Sequence, residues 1–260
     1  MLAIALVVAG GAAHAGPDGA AGTDGPEDLV ARPLVLDEGG VDLRLTLEIG
    51  VRNFRLGRPL SLAPDGWWGV AHNWTIGVIH SDASVDQIEA GATLCVRDSF
   101  VPTCSHPYRG SGVDVRFGAV AGALAVAPRV RLLVRDVDPF KPAMTLGAVV
   151  RWTRGRFAVA SDPFLRVPLA NGDLGNRSAL SIPLWLSVQP ARGWMITAHT
   201  GFDADLAVLR DGSHAPFGLA VTTRVTPEVD ASIEAGWGRL FGPQYNAKSS
   251  AVLITAGWHR

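Results

Sequence analysis

Every second residue from 41 to 49 is apolar: Val41, Leu43, Leu45, Leu47 and Ile49 alternate with Asp42, Arg44, Thr46 and Glu48. Strict alternation marks a β-strand with one apolar and one polar face. The pattern returns at Val229, Ala231, Ile233, Ala235 and Trp237, against Asp230, Ser232, Glu234 and Gly236. It returns again at Leu180, Ile182, Leu184, Leu186 and Val188, against Ser181, Pro183, Trp185, Ser187 and Gln189. Extended along the chain, it predicts about twelve strands near 41–51, 68–80, 86–97, 112–125, 129–137, 143–152, 155–161, 178–189, 193–205, 214–225, 229–240 and 248–259.

The expected connections alternate in length. Short turns fall at 81–85, Ala127-Pro128, Thr153-Arg154, 190–192 and 226–228, and longer ones at 52–67, 98–111 and 162–177. Trp152, Phe157, Trp194 and Trp258 fall at the short-turn end of their strands; Trp68, Phe202, Phe217 and Trp237 fall toward the long-loop end. All lie on the apolar face, as in the two aromatic belts of a membrane barrel. A soluble sandwich or lipocalin-like barrel shows the same alternation with the faces inverted; the belts and the loop asymmetry favour apolar-out. The best internal apolar run, 117–134, is broken by Pro128, Arg129 and Arg131, so no helix there crosses a membrane. Only a closed barrel then satisfies the backbone in lipid. The expected fold is all-β: a closed antiparallel up-and-down transmembrane β-barrel of about twelve strands, spanning residues 41–260.

The front of the chain sets the expected compartment. An apolar run from Leu2 to Ala9 leads to Ala13-His14-Ala15, which reads as a signal peptide over residues 1–15, cleaved before Gly16. Residues 16–40 read as a flexible leader, since 16–27 offer almost nothing to bury. The charge balance, 24 acidic against 23 basic residues, gives no basic excess for nucleic acid. The only cysteines, Cys95 and Cys104, are expected to form a disulfide in an exported protein. Cys104 with His106 lacks a second ligand cluster, so no metal is expected, and no cofactor motif is present.

The final strand, Ser249 to Trp258, carries Val252, Ile254, Ala256 and Trp258 on one face and is followed by His259 and Arg260. It resembles the aromatic-ended C-terminal strand of bacterial outer-membrane barrel proteins. The turn Thr226-Pro227-Glu228-Val229 is similar to those of outer-membrane transport barrels. The resemblance implies a place in the bacterial outer membrane, with contact to its lipid and to the barrel-assembly machinery during insertion. It also implies a porin-like or transporter role with a small solute.

With the apolar face outward, the polar face lines a lumen. Arg116, Arg131, Arg135 and Arg151 come from neighbouring strands, and Arg156 joins them at the start of the next. Asp42, Glu48, Asp203, Asp230 and Glu234 come from strands expected on roughly the opposite wall, a bias with Arg44, Arg224, Glu89 and Asp114 as exceptions. Such walls permit an open lumen with a transverse field. They also permit a barrel plugged by arginines that cross the gap, since a dry unpaired charge is too costly. A barrel phospholipase needs Ser and His together on the lipid face. Here His72 is followed two residues on by Trp74, His199 points inward, and no Gly-x-Ser-x-Gly elbow exists, so no catalytic residue is assigned. The expected function is a passive channel, with a non-conducting structural or surface-interaction barrel as the alternative.

Overall fold

The computed structural model describes residues 29–52, 55–81, 110–243 and 250–260. Its strands are β1 (Val41–Arg52), β2 (Arg55–Ala71), β3 (Trp74–Ile79), β4 (Ser111–Phe117), β5 (Leu124–Val137), β6 (Phe140–Arg154), β7 (Phe157–Ser161), β8 (Phe164–Pro168), β9 (Ala179–Ala191), β10 (Trp194–Asp205), β11 (Ser213–Thr226), β12 (Val229–Phe241) and β13 (Ser250–His259). Apart from β7 and β8, each pairs antiparallel with its neighbour in the chain, and β13 pairs with β1, so the sheet closes. β7 and β8 share the partners β6 and β9; they are halves of one stave, interrupted at Asp162-Pro163. The result is a closed antiparallel barrel of 12 strands.

Several strand positions differ from the sequence expectation. β2 starts at Arg55 inside the expected long loop 52–67, and β2 and β3 turn over at His72-Asn73, in the middle of the expected strand 68–80. Asn73 takes the left-handed conformation (φ 63°) that this tight turn requires. Pro128, expected in a turn, lies inside β5 opposite Ala148 of β6. β7–β8 continues to Pro168, where a loop was expected from residue 162. The expected strand 86–97 lies outside the described residues.

The loop asymmetry survives in most places. One rim carries the connections 72–73, 118–123, 155–156, 192–193 and 227–228. Among the described residues the other carries 169–178 and 206–212, although β5 and β6 turn over there at Asp138-Pro139. Val41 and Arg260 hydrogen-bond to each other at the short-turn rim.

The alternation resolves as apolar-out. Leu43, Ile182 and Ile233 are exposed on the outer surface and Leu184 is half-buried, while Ser181 is fully buried inside. Trp74, Phe117, Trp152, Phe157, Trp194 and Trp258 ring the short-turn rim, all exposed. Trp68 joins them: it pairs with Val41, so it belongs to this belt rather than to the long-loop belt. Phe140, Phe202, Trp237 and Phe241 form the belt near the other rim. This much exposed apolar surface suits lipid and not water.

Part of the lumen is packed. Trp67, Ile79 and Leu133 form an interior cluster, with Leu36 against it. Glycines on neighbouring staves make the room: a Cβ on Gly77 would lie 2.2 Å from the Trp67 ring, and one on Gly112 2.4 Å from Leu133.

Candidate functional site

Residues 29–40, the second part of the expected leader, are seated in the barrel at the short-turn rim. A short 3-10 turn, Leu29–Ala31, buries Leu29 and Val30 beside β9. The Val30 N–H donates to Gln189 Oε1 (3.4 Å) on β9, and Thr153 Oγ1 of β6 donates to the Val30 carbonyl (3.5 Å). Arg151 of β6 donates to the carbonyls of Ala31 and Arg32. The chain then crosses the bore. Arg32 pairs with Asp230 of β12, and the Leu36 N–H donates to Thr75 Oγ1 (2.7 Å) of β3. At the far side the Gly39 N–H donates to the Gly69 carbonyl (2.8 Å), and the Gly69 N–H donates to that of Gly40 (2.9 Å). This segment, the strap, thus runs from β9 to β2 across the lumen.

Above and beside the strap lie two cavities. The larger, about 1020 Å³, opens at the rim between the strap, β1 and the β10–β11 side, with Arg44, Arg192, Arg224 and His259 on its wall. The smaller, about 390 Å³, lies deeper; Arg32, Arg44, Arg116 and Arg151 face it together with Asp42 and Asp230. Thr222, Ser232 and Thr255 give it a neutral hydroxyl wall. Hydroxyl pairs continue this character along nearby staves: Thr46 with Thr255 (3.0 Å) and Ser187 with Thr197 (2.9 Å).

An ionic network adjoins the smaller cavity, with Arg116 common to both. Arg129 is its hub: its Nε and Nη2 donate to the Asp114 carboxylate (2.6 and 2.9 Å), and its Nη1 donates to Asp162. Arg131 donates to Thr145 Oγ1 (3.0 Å), reaches Asp162 at 3.4 Å and lies over the Phe164 ring. Asp114 also accepts from Arg116 (2.8 Å) and from Trp67 Nε1 (2.7 Å). Trp67 holds the guanidinium groups of Arg44 and Arg116 at its ring, 5.1 and 5.0 Å from its centre.

The expected lumen residues therefore have distinct fates. Arg116 and Arg131 find carboxylates on their own wall, in Asp114 and Asp162, so the walls of opposite sign expected from sequence are not the arrangement. Arg135 donates to Asn176 Oδ1 (3.4 Å), in the connection after β8. Arg44 pairs with Asp42 two residues away on β1 (2.7 Å). Arg224 stands opposite Asp230 in the β11–β12 register. Glu234 meets His199 Nδ1 at 2.8 Å, and His199 stacks on Trp185. Glu48 is buried inside β1, and Asp203 is half-buried opposite His214. Arg156 ends at the rim, donating to the Pro190 carbonyl (3.3 Å). Cys95 and Cys104 lie outside the described residues.

Arg32, Trp67, Arg129 and Asp162 were not anticipated. Arg129 shares the phase of Arg131, and Asp114 that of Arg116, so part of the network was present in the alternation. Asp162 was hidden by its position in the expected loop.

No protein-family model and no curated protein matches the sequence. Solved structures do match in shape. The NanC porin superposes with a TM-score of 0.55 at 10% identity, covering 84% of this chain and 97% of NanC. The KdgM porin gives 0.52 at 6% identity, covering 84% of this chain and 98% of KdgM. The fold is that of outer-membrane porins. With the outward apolar belt, it puts the barrel in a bacterial outer membrane.

Proposed function

We propose that this chain is a passive outer-membrane channel for a small hydrophilic solute. The observation that carries the reading is the charged and hydroxyl-lined cavity beside the strap, set within a barrel whose outer face is apolar. Charges facing a lumen stay ionised there because water or a polar solute accompanies them. KdgM has also been solved in complex with disordered oligogalacturonate, which is consistent with a hydrophilic solute in a lumen of this fold. Liposomes carrying the refolded protein should swell in isotonic solutions of small sugars or organic acids. Liposomes with folded protein that admit neither would remove the channel reading.

A second reading, a non-conducting structural or surface-interaction barrel, is favoured by the packed cluster of Trp67, Ile79 and Leu133 and by the strap across the bore. That reading requires no swelling either in the wild type or in a variant whose strap has been displaced.

A further inference from the structure

We infer that the strap completes a binding site for a small oxyanion, a carboxylate or phosphate group, with Arg32 and Arg151 as its principal donors. The inference deepens the channel reading by giving its lumen a specific ligand chemistry.

Three observations on the described residues carry it. First, the cavity of about 390 Å³ is bounded on one side by the strap and on the other by the barrel wall, so neither makes it alone. Second, its arginines outnumber its carboxylates. Asp230 is shared by Arg32 and Arg224, and Asp114 is shared by Arg116 and Arg129. Arg151 has no carboxylate partner and is held only by the strap carbonyls of Ala31 and Arg32. Third, donors remain unused at this place: Arg32 Nη2 and Arg151 Nε are both buried without a hydrogen-bond partner. Buried donors of charged groups are costly to leave unsatisfied. An oxyanion brings several acceptor lone pairs and the missing negative charge, and guanidinium groups match its geometry.

The strap is fitted to this position by the backbone as well as by side chains. A Cβ on Gly69 would stand 1.8 Å from the Asp37 carbonyl oxygen, and one on Gly118 2.8 Å from Val35. The two glycines let the strap lie directly on the wall, and this fixes where Arg32 enters the lumen.

The test is a calorimetric titration of inorganic phosphate, and separately of succinate, into the folded protein in neutral detergent at low ionic strength, where screening is weak. Saturable binding is expected. Arg32→Gln and Arg151→Gln should each weaken it roughly tenfold or more, as loss of a charge-assisted hydrogen bond does. Gly69→Ala, which removes no arginine from the chain but displaces the strap and Arg32 with it, should weaken it as well. Arg154→Gln, in an exposed position at the rim, should leave it unchanged. Heat-modifiable electrophoretic migration checks that each variant remains a folded barrel. Absence of saturable binding to folded wild type overturns the inference, as does binding that survives the Arg32→Gln/Arg151→Gln double variant. Because the titration needs no conduction, binding without liposome swelling would sink the channel and spare the site, and swelling without binding would do the reverse.

Discussion

Gly69 of β2 meets Asp37 of the strap backbone to backbone, so close that even a methyl group would lie 1.8 Å from the Asp37 carbonyl oxygen. The contact predicts that Gly69→Ala releases the strap while the barrel closes as before. A Leu36→Cys probe, packed in the wild type against Trp67, Ile79 and Leu133, should then react with a water-soluble maleimide several times faster. Equal labelling rates with and without Gly69→Ala would mean that the strap is not held there.

Arg129 joins Asp114 to Asp162 in the lumen wall, and all three are buried. Removing one partner of such a network leaves buried charge uncompensated, at a cost of about 3–5 kcal/mol. Arg129→Ala should therefore lower the denaturant midpoint of the folded barrel clearly, whereas Arg177→Ala, from an exposed pair with Asp205, should change it little. A midpoint unchanged by Arg129→Ala would contradict the assignment of Arg129 as the hub.

Ile233 and Ser232 are sequence neighbours on opposite faces of β12, near mid-strand opposite Ile254 and Thr255. Ile233→Arg should cost about 2–4 kcal/mol, the penalty for a cation on the lipid face near the midplane. Ser232→Arg, beside the cavity, should cost much less. Reversed sensitivities would invert the barrel's faces.

Ion selectivity should depend on Arg151 more than on Arg131. Arg131 is buried between Asp162, Thr145 and Phe164, so its neutralisation acts on stability. Arg151 faces the cavity without a carboxylate. In a salt gradient across a bilayer, Arg151→Gln should move the reversal potential toward cation preference. Arg131→Gln folded to the same yield should move it less, and the opposite ranking would refute the placement.

The barrel itself was legible because alternation acts one residue at a time: Leu43, Ile182 and Ile233 could face lipid only if Arg44, Ser181 and Glu234 faced in. The prolines obscured the rest. Pro64 and Pro128 lack a ladder donor, so their surroundings read as loop or turn, yet they stand opposite Leu45 and Ala148 inside paired strands. That misreading moved β2 and carried Trp68 to the wrong belt. The charge pairing was illegible for another reason. Alternation gives a residue's face but not its neighbour around the ring, so Arg131 was matched with a distant wall while Asp162 lay one stave beyond β6. The strap left only a faint trace, the apolar residues Leu29, Val30, Leu34, Val35 and Leu36 in a stretch otherwise suited to a leader.

Conduction is the sharpest measure of whether the lumen is open. Single-channel recording of the wild type in a planar lipid bilayer should give small ohmic steps, and Gly69→Ala should give larger steps because the strap no longer crosses the bore. Folded protein that shows no steps in either form would contradict the channel and leave a structural barrel.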